Sequence, residues 1–353
     1  MKHRRGVLAF ALLLACGSGK PSVFATSYAA AERAESAGRY EEAAQAYAAA
    51  AADVDAPPRE QDHARLLSAL LTAKAGDRAG AATLLRVLAA GKSEYAAPAE
   101  YHLAILLLDS GDPSGWNALD GFLRAYPNTG LALVAFRRRL RHEDEGGPLQ
   151  ALAYLRALAP AVAGSELEEY VAYFVAERLA DAGQTAEALA AFEAVATRFP
   201  YPKAHFDDSL YRASELSEAL GKPAEAVALL ERMLAERETS SLPGTYNRPR
   251  FPDGAFRIAV LWRDKLGNAE KAREAFLRFT DDYPDSIKVD DALWEAAKLS
   301  ENEGARCTLL ARLVRSAPDS RYVPCAVTRC KDVTRPSGSQ APKDCHAYLE
   351  KRD

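Results

Sequence analysis

Apolar positions recur along most of this chain at intervals of three and four residues, the spacing that lines one face of an α-helix. Residues 170–182 and 207–220 are two such stretches, and each runs into a glycine. Seven glycines punctuate the pattern in this way: Gly38, Gly76, Gly111, Gly146, Gly183, Gly221 and Gly267, spaced 38, 35, 35, 37, 38 and 46 residues apart. Five residues after six of them stands a small residue: Ala43, Ala81, Ala151, Ala188, Ala226 and Ala272. Nine residues after comes a large apolar one (Tyr47, Leu85, Leu155, Phe192, Leu230, Phe276), and twelve after come Ala50, Leu88, Leu158, Val195, Met233 and Phe279. The unit at Gly111 departs, because Trp116 fills the small-residue slot; shortening it by one residue restores the pattern with Gly115, Leu119 and Phe122.

These offsets predict helix–turn–helix units. Steps of four and three keep the marked residues on one helical face. The small residue falls where two helices cross closest, and the glycine supplies the left-handed backbone that ends the preceding helix. A single unit of this kind cannot bury its apolar face alone and must stack on its neighbours.

The units resemble tetratricopeptide repeats. Gly38-Arg39-Tyr40…Ala43…Tyr47…Ala50, Gly183…Ala188…Phe192…Val195…Pro200 and Gly267…Ala272…Phe276…Phe279…Pro284 carry the likeness, which extends over residues 24–318. An eighth hairpin is expected at 290–318, with Trp294, Leu310 and Leu313 as core positions and a shortened turn at Gly304. The resemblance implies an all-α, right-handed solenoid of about eight helical hairpins that binds partners and does no chemistry. Tyr126-Pro127-Asn128-Thr129 and Tyr283-Pro284-Asp285-Ser286, echoed in Ala317-Pro318-Asp319-Ser320, join a helix-stopping proline to residues able to cap the next helix. This form is similar to the branch found in bacterial envelope lipoproteins that serve outer-membrane assembly and the Tol-Pal system.

In that family the first helix of each hairpin lines a concave groove, including its fifth position. Here this falls at Tyr28, Leu66, Tyr101, Phe136, Tyr173, Tyr211 and Arg257. Tyrosine joins apolar area to a hydroxyl tip, which suits an extended peptide or loop from an envelope protein. Glu177 and Glu215, one turn further along, would add negative charge. The other reading is that the rings only plug seams between hairpins.

The N-terminus changes where such a protein would work. Lys2, Arg4 and Arg5 precede an apolar stretch at 7–15 that is too short to span a bilayer and has the length of a signal-peptide core. Leu13-Leu14-Ala15-Cys16 resembles a bacterial lipobox, so residues 1–15 are expected to be removed and Cys16 lipidated, with 16–23 as a flexible tether. Removing 1–15 moves the formal net charge from −4 to −7. An acidic body has no attraction to anionic lipid, so the lipid would hold it at the membrane. Gly17 in place of the family's inner-membrane retention Asp points to the outer membrane, on its periplasmic side. The mild net charge offers no case for nucleic acid.

Cys307, Cys325, Cys330 and Cys345 all lie near the C-terminus. In an exported protein an even set implies disulfides, with three pairings open, stapling a cap over residues 319–353 onto the last hairpin. A zinc site is the rival, but it lacks Cys-x-x-Cys spacing. The 46-residue spacing marks an insertion, expected as a loop over 237–254 that holds Tyr246, Arg248 and Arg250. Arg137-Arg138-Arg139-Leu140-Arg141-His142, followed by Glu143-Asp144-Glu145, reads as a solvated helix end. No catalytic motif, metal-ligand spacing or cofactor loop is found. The functional expectation is a non-catalytic scaffold for an envelope assembly, wall-synthesis, secretion or motility complex. A binding module for wall glycan or peptide, and an accessory subunit of an envelope enzyme, are the alternatives.

Overall fold

The computed structural model describes residues 22–236 and 250–346. The leader at 1–15, Cys16 and the tether to residue 21 lie outside the described residues, as do 237–249 and 347–353. Among the described residues the chain is helical, with one short 3-10 turn and no strand.

Eight hairpins follow one another in the chain. They are α1 (Val23–Ser36) with α2 (Tyr40–Ala51), α3 (Pro58–Lys74) with α4 (Arg78–Ala89), α5 (Ala96–Asp109) with α6 (Ser114–Ala125), and α7 (Gly130–Asp144) with α8 (Pro148–Leu158). Then come α9 (Leu167–Asp181) with α10 (Thr185–Arg198), α11 (Phe206–Ala219) with α12 (Pro223–Ala235), α13 (Arg250–Asp264) with α14 (Ala269–Asp282), and α15 (Val289–Lys298) with α16 (Glu303–Ser316). A short α17 (Val323–Arg329) closes the series. The hairpins form two compact units that divide between Arg139 and Leu140, inside α7.

The repeat residues occupy the places their spacing demands. Ala43, Ala81, Ala151, Ala188, Ala226 and Ala272 are fully buried, and behind them lie Tyr47, Leu85, Leu155, Phe192, Leu230 and Phe276. In the irregular third hairpin the crossing residue is Gly115. A Cβ there would sit 2.8 Å from the carbonyl oxygen of Ala104 and 2.9 Å from the backbone nitrogen of Leu108. α5 and α6 therefore approach more closely than any side chain at this position would allow, and the neighbouring Trp116 is half-buried beneath Arg139.

Two hairpin details differ from the sequence expectation. The fourth turn uses Gly147 (φ 92°), not Gly146, as its left-handed residue. Gln150 donates to the Glu143 carboxylate at 2.8 Å, and its amide fills the space beside Gly146. The expected loop also ends early, because Arg250 to Gly254 form the first turn of α13. Pro252 is tolerated there, since the first N–H groups of a helix have no intrahelical acceptor. Phe251 and Gly254 are buried, with Met233 lying against the glycine.

The X-Pro pairs end second helices by one mechanism. A residue before proline is driven out of the α region. Tyr126, Phe199, Tyr283 and Ala317, each before a proline, adopt φ between −121° and −137° with ψ between 49° and 73°. In two of these the rings also repeat their geometry: Phe122–Tyr126 and Phe279–Tyr283 have centroids 5.6 Å apart at 37° and 36°. The expected capping by the residues that follow takes another form. Thr129 Oγ1 donates to the Tyr126 carbonyl, and Ser286 and Ser320 accept from backbone N–H groups two residues on.

At the C-terminal end α17 stands where a ninth first helix would begin. Trp294 of α15 stacks on Tyr322 with ring centroids 4.8 Å apart. The cysteines pair Cys307 with Cys330 and Cys325 with Cys345. The first bond ties α16 to the end of α17, and the second ties α17 to the tail. The tail then folds back: Ser339 Oγ donates to the Pro318 carbonyl, and the Gln340 N–H to Asp319.

Candidate binding face on the first helices

The structure describes every predicted groove position and divides them. Leu66, Phe136 and Tyr173 are buried, while Tyr28, Tyr101, Tyr211 and Arg257 are half-buried. The buried three plug seams between helices, which is the plainer of the two readings of this pattern. Tyr173 lies face-on to His205 at 4.2 Å and edge-on to Phe192 at 5.7 Å, and donates its hydroxyl proton to Glu177 at 3.2 Å. Burial raises the Tyr173 pKa, and the carboxylates of Glu177 and Asp208 add to the rise.

The polar tips proposed to await a ligand are largely engaged within the protein. Arg257 donates to Glu218 at 2.5 Å and lies over the ring of Tyr211. Glu215 accepts from Arg212 at 2.8 Å. Arg250, expected in a loop, pairs with Asp208 at 2.7 Å and lies over the Tyr211 ring at 4.8 Å, leaving that residue half-buried.

These contacts belong to a ladder that sequence reasoning missed, joining each first helix of the second unit to the next. Arg178 of α9 grips Asp144 of α7 with two hydrogen bonds of 2.7 and 2.9 Å. Glu169 of α9 accepts the His205 backbone N–H at 2.7 Å, with the imidazole Nδ1 3.2 Å away. Asp253 of α13 holds Lys288 at 2.8 Å, Glu295 of α15 holds Arg263 at 2.7 Å, and Asp291 accepts from Tyr322 at 2.6 Å. The partners stand about one repeat apart in sequence, so the signal was a conserved phase of charge, hidden by the varied residue types. Burial alone would raise the Glu169 pKa; the hydrogen bonds from His205 outweigh it, and the carboxyl titrates below its usual range.

In the first unit the first helices are also paired by charge, Lys74 of α3 with Glu35 of α1 at 3.9 Å and Arg138 of α7 with Asp109 of α5 at 2.7 Å, and an aromatic run is added. Phe24, Tyr28, His63 and Tyr95 form a run with successive centroid distances of 5.4, 6.2 and 5.3 Å, and the Tyr28 hydroxyl is 3.4 Å from His63 Nδ1. Tyr101 packs against Phe122 at 5.6 Å while remaining half-buried.

The basic run on α7 is solvated in part, as its composition suggested, and in part engaged with neighbouring helices. Arg138 meets Asp109 at 2.7 Å, and Arg139 meets Asp120 at 3.0 and 3.3 Å over the Trp116 ring. Arg137 and Arg141 remain exposed. Among the described residues no group of His, Cys, Asp and Glu is placed to hold a metal ion, and no helix is long and apolar enough to cross a membrane.

Residues 253–286, spanning α13 and α14, match the family Tetratricopeptide repeat. No curated protein matches the chain in sequence. Among solved structures it is similar to the C-terminal part of a TPR repeat-containing protein from Cytophaga hutchinsonii, at 14% identity and TM-score 0.42, covering 75% of this chain and 99% of that one. It is also similar to a tetratricopeptide repeat protein from Parabacteroides merdae, at 14% identity and TM-score 0.32, covering 79% of this chain and 99% of that one. The hairpins and their spacing define an all-α protein built of tetratricopeptide-like repeats, a fold that typically serves as a non-catalytic scaffold for protein–protein interaction.

Proposed function

We propose that this chain is an exported scaffold, held by lipid on Cys16 at the periplasmic side of the outer membrane, whose first-helix faces take peptide segments or loops of envelope proteins. The observation that carries the reading is the pair of disulfides closing the last hairpin. Such bonds persist in oxidising compartments, and they fit the leader and lipobox pattern at the other end of the chain. The half-buried Tyr28, Tyr101 and Tyr211 offer contact area of the kind protein interfaces favour.

Crosslinking in intact cells of the source organism, comparing wild type with a Tyr101→Ala/Tyr211→Ala double variant, tests the first-helix face of each unit. Loss of specific crosslinked partners is expected, and an unchanged set would refute it. Tyr173 is unsuited to this test because it is buried in the seam with His205.

A further inference from the structure

The second unit has another open surface, on a different side of α13 from the first-helix face. A cavity of about 500 Å³ lies between α12 and α14, with α13 as its floor. Ala255, Ile258 and Trp262 form that floor. At about 100° per residue, these three point more than a quarter-turn away from Arg257. The cavity is therefore separate from the tyrosine positions.

Its walls are largely apolar, with the Tyr283 phenol among them, and its rim is charged. Leu234 and Phe279 line it from the two flanking helices. Along α14 the rim reads Lys271, Glu274, Arg278 and Asp282, which alternates in sign at steps of three and four, and Glu231 faces them from α12. All five side chains are exposed. Lys271 rests over the Trp262 ring at 4.2 Å. Glu231, Glu274 and Arg278 have no ion-pair partner among the described residues, in contrast to the paired charges of the first-helix ladder.

A small polar ligand needs polar groups converging inside its pocket. Here the buried Tyr283 also lines the wall, but the rest of the lining inside the rim is Leu, Ala, Ile, Trp and Phe, and the charges stand along the edges. From Lys271 to Asp282 the rim runs about 16 Å, or three helical turns. An apolar trough of that length, with flanks of alternating sign, matches an amphipathic helix laid in a groove.

We propose that this cavity is a second docking site, for an amphipathic helical segment of a partner protein. That segment carries large apolar anchors on one stripe, and flanking charges that alternate so as to set acids against Lys271 and Arg278 and bases against Glu274 and Glu231. The site goes beyond the first-helix reading and stands or falls without it.

The test uses a displayed library of random peptides about four helical turns long, selected on the full-length protein and counter-selected on an Ala235→Arg/Ala275→Arg variant. Ala235 is exposed and Ala275 half-buried, so the arginines fill the trough from its edges, and an unchanged helical spectrum and melting temperature confirm the fold. Selected peptides should show apolar residues at helical spacing with alternating flanking charge. They should shift the Trp262 fluorescence, bind the double-arginine variant about tenfold or more weakly, and bind a Tyr101→Ala/Tyr211→Ala protein unchanged. Peptides without that pattern, or peptides insensitive to the arginines, would overturn the proposal. So would peptides that bind only after Leu242 and Tyr246 are replaced by serine, since these would assign the cavity to the chain's own 237–249 segment.

Discussion

Single residues set the closest approaches in these hairpins. Gly115 is the sharpest case, because a Cβ would meet backbone, which cannot rotate away. Gly115→Val should destabilise the first unit by about 1–3 kcal/mol, the usual cost of overpacking; a smaller shift in urea unfolding would mean that α5 and α6 can separate. Gly183, at φ 73° with open space around it, tests backbone strain alone. Glu169 gives a pH signature. Its folded pKa lies below the unfolded value, so its stabilisation is complete above the ordinary 4.5 and is lost as pH falls through the lower folded value. Glu169→Gln should therefore be less stable than wild type near neutral pH, and the difference should shrink in acid. Parallel stability curves down to strong acid would contradict the assignment.

At the scale of elements, the ion-pair ladder and the disulfides fix how neighbouring first helices are held. The Arg178–Asp144 pair is two-pronged, and the arginine side chain is only 15% exposed. Arg178→Ala should cost about 1–3 kcal/mol, as expected for hydrogen bonds to a charged group left unpaired, and should raise amide exchange in α9 before α11. At the other end, Cys307→Ser/Cys330→Ser should lower stability by about 2–4 kcal/mol and speed proteolysis around α17, while α9 to α12 keep their protection. The element pattern was legible because apolar period and glycine position are local properties. The choice of Gly147 over Gly146 was not, since it depends on where the Gln150 side chain lies. The start of α13 at Arg250 was hidden for a similar reason: a Pro- and Gly-containing segment reads as loop until Gly254 is packed against Met233 of α12 and Phe251 is buried near Tyr201.

Across the whole molecule, stability in a stacked array is close to a sum of repeats and their nearest-neighbour contacts. Phe192→Ala, at a fully buried site, should cost about 3–5 kcal/mol and reduce hydrogen-exchange protection in α9 to α12 far more than in α1 to α4. A uniform loss would show that the two compact units unfold together. The proposed anchor makes its own demand: Cys16→Ser should move the protein from the membrane to the soluble fraction, and continued membrane association would count against lipidation there.

The sequence by itself determined the repeat, the turn glycines of the first seven hairpins except the fourth, and the small and large core positions, because each is encoded in periods of three, four and about thirty-six residues. It also marked the four cysteines as a cap without choosing among their pairings, which depend on where α17 lies over α16. Tertiary structure alone decided the fate of the groove positions. Whether a tyrosine or arginine is free or engaged depends on what the next repeat brings against it. Tyr173 meets His205 and Arg257 meets Glu218, each from a neighbouring hairpin, and no local pattern records that meeting. The cavity between α12 and α14 is of the same kind, formed only where two second helices stand apart over the floor of a third.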